Sequence, residues 1–103
     1  MWDNATIQNA AQLLAREAGP GCEVILFGSY ARGQAHAHSD LDFLVVVPDH
    51  RDFRHEAVRL MRALRPMKLY PDIIVMNRYT FSEWAQVPTT LAFEARRDGK
   101  RLA

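Results

Sequence analysis

Little in this chain is extreme. One cysteine, Cys22, stands among 103 residues, so no internal disulfide can form and a reducing compartment fits. The formal net charge is +1, which excludes a polyelectrolyte that holds nucleic acid by overall charge; any basic surface must be local. No apolar run approaches the roughly 18 residues needed to cross a bilayer, and Met1-Trp2-Asp3-Asn4 is polar and acidic where a secretory leader would be basic and then apolar. The cytoplasm is therefore expected, with no membrane contact. Repeats, low-complexity segments and linkers are missing too, and so is any Gly-x4-Gly-Lys segment of a P-loop NTPase. With 49% hydrophobic residues, a chain this short is expected to form one domain, 1–103, around one core.

Against this background one stretch stands out. An apolar run, Glu23 to Phe27, breaks at Gly28-Ser29, and Tyr30-Ala31-Arg32-Gly33 follows. A strand running into a glycine and a hydroxyl, with a short helix after it, lets backbone N–H groups approach a phosphate closely. After the polar link Gln34 to Ser39 come Asp40-Leu41-Asp42 and the run Phe43 to Val47, which reads as a buried central strand. Asp40 and Asp42 open this strand, and period-two alternation puts both carboxylates on one face, roughly 6–7 Å apart at the backbone. Aspartate is disfavoured in strands and carboxylates resist burial, so two at the mouth of such a run call for a cation. A phosphate cradle beside paired carboxylates suits Mg²⁺, which prefers hard oxygen ligands.

Gly28-Ser29, ten residues, Asp40-x-Asp42 resembles the signature of the nucleotidyltransferase superfamily that includes DNA polymerase beta. The Ala31-Arg32-Gly33 continuation, the later Asp72 and the closing Glu94-Ala95 and Gly99 to Leu102 make the chain most similar to the minimal nucleotidyltransferases, the MNT-domain proteins encoded beside HEPN-domain partners. The resemblance implies an α/β (α+β) fold with a small mixed sheet of three to four strands flanked by four to five helices. It implies Asp40, Asp42 and Asp72 as catalytic and metal ligands for two Mg²⁺ ions, and Gly28, Ser29 and Arg32 at the phosphates of ATP. For Arg32 a structural ion pair is an equal reading. The implied activity is that of an antitoxin transferring AMP from ATP to a tyrosine hydroxyl of a partner HEPN ribonuclease toxin, in a hetero-oligomer. Because larger relatives carry an added acceptor-binding domain, the acceptor is expected on another macromolecule, with no direct nucleic-acid binding. Two alternatives stay open: a non-catalytic module that blocks its toxin by complex formation, and a stand-alone transferase for another acceptor.

The remaining chain reads as framework. Asp3 or Asn4 caps a helix with Ile7, Ala10, Ala11 and Leu14 on one face, ending at Gly19-Pro20-Gly21. Cys22 is placed at the buried first strand. His36 and His38 have no third ligand at a useful spacing and read as a solvated loop. From Asp52 a helix presents Phe53, Ala57, Leu60, Met61 and Leu64 inward until Pro66, and a basic face of Arg51, Arg54, Arg59, Arg62 and Arg65 outward, with Lys68 beyond. Asp72 to Met76 forms a third strand. Thr80 and Glu83 suggest a capping box, Pro88-Thr89-Thr90 a last helix start, and Lys100 to Leu102 a brief strand. Phe81, Trp84 and Phe93 read as core or interface rather than stacking platforms.

Overall fold

The computed structural model describes all of residues 1–103. Its elements run α1 (Asn4–Ala18), β1 (Glu23–Phe27), α2 (Gly28–Ala31), β2 (Asp42–Val47), α3 (Phe53–Ala63), a 3₁₀ turn (Arg65–Met67), β3 (Asp72–Asn77), α4 (Arg78–Trp84), α5 (Leu91–Asp98) and β4 (Lys100–Arg101). The four strands form one mixed sheet in the order β3-β2-β1-β4. β1 runs antiparallel to both β2 and β4, whereas β2 and β3 are parallel and joined through α3. A mixed sheet of four strands with five α-helices is the architecture the resemblance implies.

The two faces of the sheet are covered unequally. On one, Val24, Leu26, Phe43, Val45, Val47 and Val75 meet Ile7, Ala10, Ala11, Leu14 and Ala18 of α1 and Leu60 of α3, in a core of sixteen buried residues. Phe43 and Leu14 are fully buried there, and truncating such a phenylalanine to alanine typically costs about 3–5 kcal/mol. On the other face Ile25, Phe27, Leu44 and Val46 meet only Ala95, with Phe81, Leu91 and Met76 partly buried around them. Ile74 of the edge strand β3 stays 38% exposed. The thinner layer leaves one end of that face uncovered.

α1 starts where expected, Asp3 accepting from the Thr6 N–H at 2.7 Å. Several expectations shift. The capping box fails, because α4 begins directly after β3 and Asn77 caps it, accepting from the Thr80 N–H at 2.7 Å. Thr80 is thus already inside the helix. The last helix is capped by Thr90, and β4 closes at Arg101. Cys22 precedes β1, is only partly buried, and donates to the Ala18 carbonyl at 3.5 Å. On α3, Met61 is 36% exposed while Glu56 is buried. Glu56 binds Arg51 and Arg59, each at 2.6 Å, so these two arginines leave the proposed basic face. Arg51 and Arg59 also donate to the carbonyls of Ala18 and Glu17, tying α3 to the end of α1. Trp84, 52% exposed, is no core residue.

Candidate functional site

Three residues stand side by side at the open end of the sheet. Phe27 pairs with Asp42 across the antiparallel ladder, and Asp42 pairs with Asp72 across the parallel one. Neighbouring strands lie about 4.8 Å apart, so the last residue of β1 and the two aspartates form a row across three strands. Asp72 is fixed in that row through its N–H, which donates to the Leu41 carbonyl at 2.9 Å.

Just beyond Phe27 the chain turns sharply. Gly28 takes φ +74°, a conformation that costs side-chain-bearing residues free energy. A Cβ at this position would collide with the Asp42 carboxylate. Glycine is therefore required for backbone and for space, and the Asp42 carboxylate lies directly against the turn. Ser29 follows in the single turn of α2, its carbonyl accepting from the Gln34 N–H at 2.9 Å. Tyr30 accepts the Trp2 N–H at 3.1 Å, which brings the amino-terminal segment over α2.

Asp42 is the electrostatically costly member. Its pKa is pushed up to about 6, first by burial, then by the charges of Asp72 and Asp40, and by a hydrogen bond to Asp72 that only protonated Asp42 can donate. Glu94 of α5 adds a smaller push in the same direction. Arg32, the residue that ends α2, is engaged by Glu94 at 2.6 Å and by Gln34 at 3.1 Å. For Arg32 the structure thus shows the ion pair. Glu94 was not singled out as a site residue; it arrives from 62 residues away in sequence, and no local signal announces that approach.

Asp40 departs from the expectation. It lies outside β2, whose first residue is Asp42, so strand alternation does not govern it. It is exposed and lines a recess with Lys68, Tyr70 and Trp2. No three His, Cys, Asp or Glu side chains are grouped to hold one metal ion. The structure pairs Asp42 with Asp72 under Gly28, with Asp40 just outside the strand and near enough for its charge to raise the Asp42 pKa. His36 and His38 sit in the exposed link, their rings edge to face at 6.4 Å, as a solvated loop would have them.

Chemically, adjacent carboxylates against a glycine turn offer hard oxygen donors beside a site where a phosphate can meet backbone. The family model for the nucleotidyltransferase domain matches residues 7–97. Three solved structures share the fold. A toxin-antitoxin crystal structure with AMP-PNP has a TM-score of 0.61 at 22% identity, covering 93% of this chain and 72% of that one. A mutant of the toxin-antitoxin MntA-HpeT has a TM-score of 0.58 at 24% identity, with the same coverage. The tri-AMPylated Shewanella oneidensis HEPN toxin in complex with MNT antitoxin gives 0.52 at 22% identity, covering 93% of this chain and 68% of that one. No curated protein matches.

Proposed function

The chain belongs to the nucleotidyltransferase domain family, and from that membership we propose that it transfers AMP from ATP to a tyrosine hydroxyl of a HEPN-family toxin, acting as its antitoxin. The observation that carries this reading is the register of Asp42 with Asp72, directly against a Gly28 turn that excludes any side chain. The structural neighbours add support: one is a toxin-antitoxin with an ATP analogue and another is a HEPN toxin that is itself AMPylated.

The donor set suits magnesium. The ion takes oxygen ligands and is commonly held by one or two protein carboxylates, with substrate phosphates and water completing its shell. Asp42 and Asp72 meet that need as a pair, and Asp40 is the neighbouring acid available to a second ion. When bound, the ions would neutralise phosphate charge and acidify the acceptor hydroxyl.

The chain's own residues divide the remaining work. Gly28 and Ser29 receive the β and γ phosphates, the glycine by leaving backbone accessible and the serine by its hydroxyl and N–H. Arg32 reaches phosphate by exchanging Glu94 for it. Asp72, the exposed member of the pair, accepts the proton of the acceptor hydroxyl. The freed oxygen bonds the α-phosphorus as the bond from that phosphorus to its bridging oxygen breaks, and pyrophosphate leaves.

One observation favours the non-catalytic alternative, namely that no three acidic side chains are grouped as a single metal site. Incubating the protein with its HEPN partner, Mg²⁺ and ATP labelled at the α-phosphorus separates the readings. Label on the partner, abolished in the Asp40→Ala, Asp42→Ala double variant while the complex persists, supports transfer. A tight complex without label supports the binder, and undiminished labelling by the double variant removes the site assignment.

A further inference from the structure

The two edges of the sheet are finished differently. β4, at one edge, is two residues long and both are charged, Lys100 and Arg101, features that keep a sheet edge from pairing with another chain. β3, at the other, runs from Asp72 to Asn77 and after Asp72 holds neither charge nor proline. Ile73, Ile74, Val75 and Met76 make its middle wholly apolar. Such an edge is a template for a further strand.

The open hydrogen-bonding groups of that edge can be assigned. The Asp72 N–H points inward, donating to the Leu41 carbonyl at 2.9 Å. Backbone groups alternate sides along a strand, so Ile74 and Met76 also bond β2, while the N–H and C=O of Ile73 and Val75 point outward. No strand lies beyond β3, and none of the turn, loop and capping bonds of the backbone reaches those two residues. Beside them α3 leaves an apolar groove of about 190 Å³ lined by Phe53, Ala57, Ile73 and Val75. Val58 and Met61 of the same helix are exposed as well.

We propose that β3 pairs antiparallel with β3 of a second copy of this chain, joining two four-stranded sheets into one. One register satisfies all four open groups. With Ile74 opposite Ile74 of the second copy on the two-fold axis, Ile73 faces Val75 of that copy and exchanges both hydrogen bonds with it, and Val75 does the same with Ile73. Shifted by two residues one way, the ladder calls on Pro71, which has no N–H; shifted the other way, it calls on Asn77, where the chain already turns into α4. The axis residue fits its place. Ile74 stands in line with Leu44 on the thinly covered face and is 38% exposed, and a non-hydrogen-bonded pair is where cross-strand side chains come closest. A second copy is favoured over a foreign strand because the two residues with open groups, and the isoleucine between them, are their own complement under a two-fold rotation. The inference is independent of the transferase reading.

Sedimentation equilibrium of the whole chain over a micromolar dilution series should reach twice the 11.8 kDa of one copy. Ile74→Lys, which sets two like charges on the axis, should return it to monomer. Ile73→Pro, which removes an outward N–H and leaves the β2 ladder intact, should do the same, both variants being checked for folding by circular dichroism. Disulfides in a Cys22→Ser background read the register. Ile74→Cys should cross-link copy to copy, its Cα atoms lying about 4.5 Å apart, whereas Met76→Cys, opposite Asp72 of the second copy, should not. A monomer at every concentration overturns the proposal, as does a dimer that survives folded Ile74→Lys or that cross-links through Met76→Cys in preference to Ile74→Cys. If the chain is monomeric alone and Ile74→Lys instead releases a bound HEPN-family protein, the edge serves a foreign partner and the proposal is wrong.

Discussion

Glu56 on α3 and Asp42 at the mouth of β2 are both carboxylates drawn away from water, and the fold treats them in opposite ways. Glu56, 7% exposed, receives Arg59 and Arg51, and those hydrogen bonds, Arg59's first, hold its pKa below the usual glutamate value. Asp42 receives no cation; burial and two neighbouring aspartates raise it to about 6. One acid is compensated and joins α1 to α3. The other is left uncompensated at an uncovered sheet end, where its ionised form raises the free energy of the folded state. Such unrelieved strain marks sites kept for binding or chemistry.

Substitutions should therefore split the two. The largest expected effect is on transfer: Asp42→Asn should lower labelling of the partner about a thousandfold or more, measured with α-labelled ATP. Glu56→Ala should remove the acid that Arg51 and Arg59 share, leaving them Asp49 and Glu17, and cost about 2 kcal/mol of stability, read by urea denaturation. The same experiment on Asp42→Asn should give the opposite sign. A rise from 3.8 to about 6 corresponds to about 3 kcal/mol at full weight. Solvent screening at this half-exposed group reduces the expected stability gain to about 1 kcal/mol at pH 7.

The pH dependence sharpens the contrast. Asp42 has a folded pKa above its unfolded one, so between about pH 4 and 6 the folded state binds more protons and stability falls as pH rises. Asp42→Asn should flatten that window. Glu56 has a folded pKa below its ordinary 4.5, so its contribution is present above that pH and is lost as pH falls further. Glu56→Gln should remove that acid limb and leave the pH 4–6 window unaltered. Smallest of all, Arg32→Ala removes a pair whose side chains are 36% and 37% exposed and should cost under about 0.5 kcal/mol. A larger loss in ATP affinity would mark it as a phosphate contact.

Much of the architecture was legible because local signals agreed with the global fold. Each apolar run flanked by glycine or aspartate became a strand, and Gly28, Asp42 and Asp72 met where those strands end. Asp40 was placed in the strand and lies before it for a physical reason: β1 stops at Phe27, so the antiparallel ladder has no partner beyond Asp42. The preceding link is held instead as a turn, with the His36 N–H donating to Ser39 Oγ at 2.8 Å. The Asn77 cap was hidden because strand β3 passes into α4 without a linker, so one residue serves both. The Arg51–Glu56–Arg59 cluster was read as part of a solvent face, because periodicity cannot foresee a carboxylate that turns inward once two arginines cover it.

One thermal-unfolding comparison bears most directly on the claim that Asp42 is an acid kept for magnesium and nucleotide. Wild type and Asp42→Asn are melted at pH 7, each with and without excess MgATP. The account predicts crossing results: the variant melts higher alone, and only the wild type gains from MgATP. A variant that melts lower than wild type alone, or that gains from MgATP as much as wild type does, would contradict it.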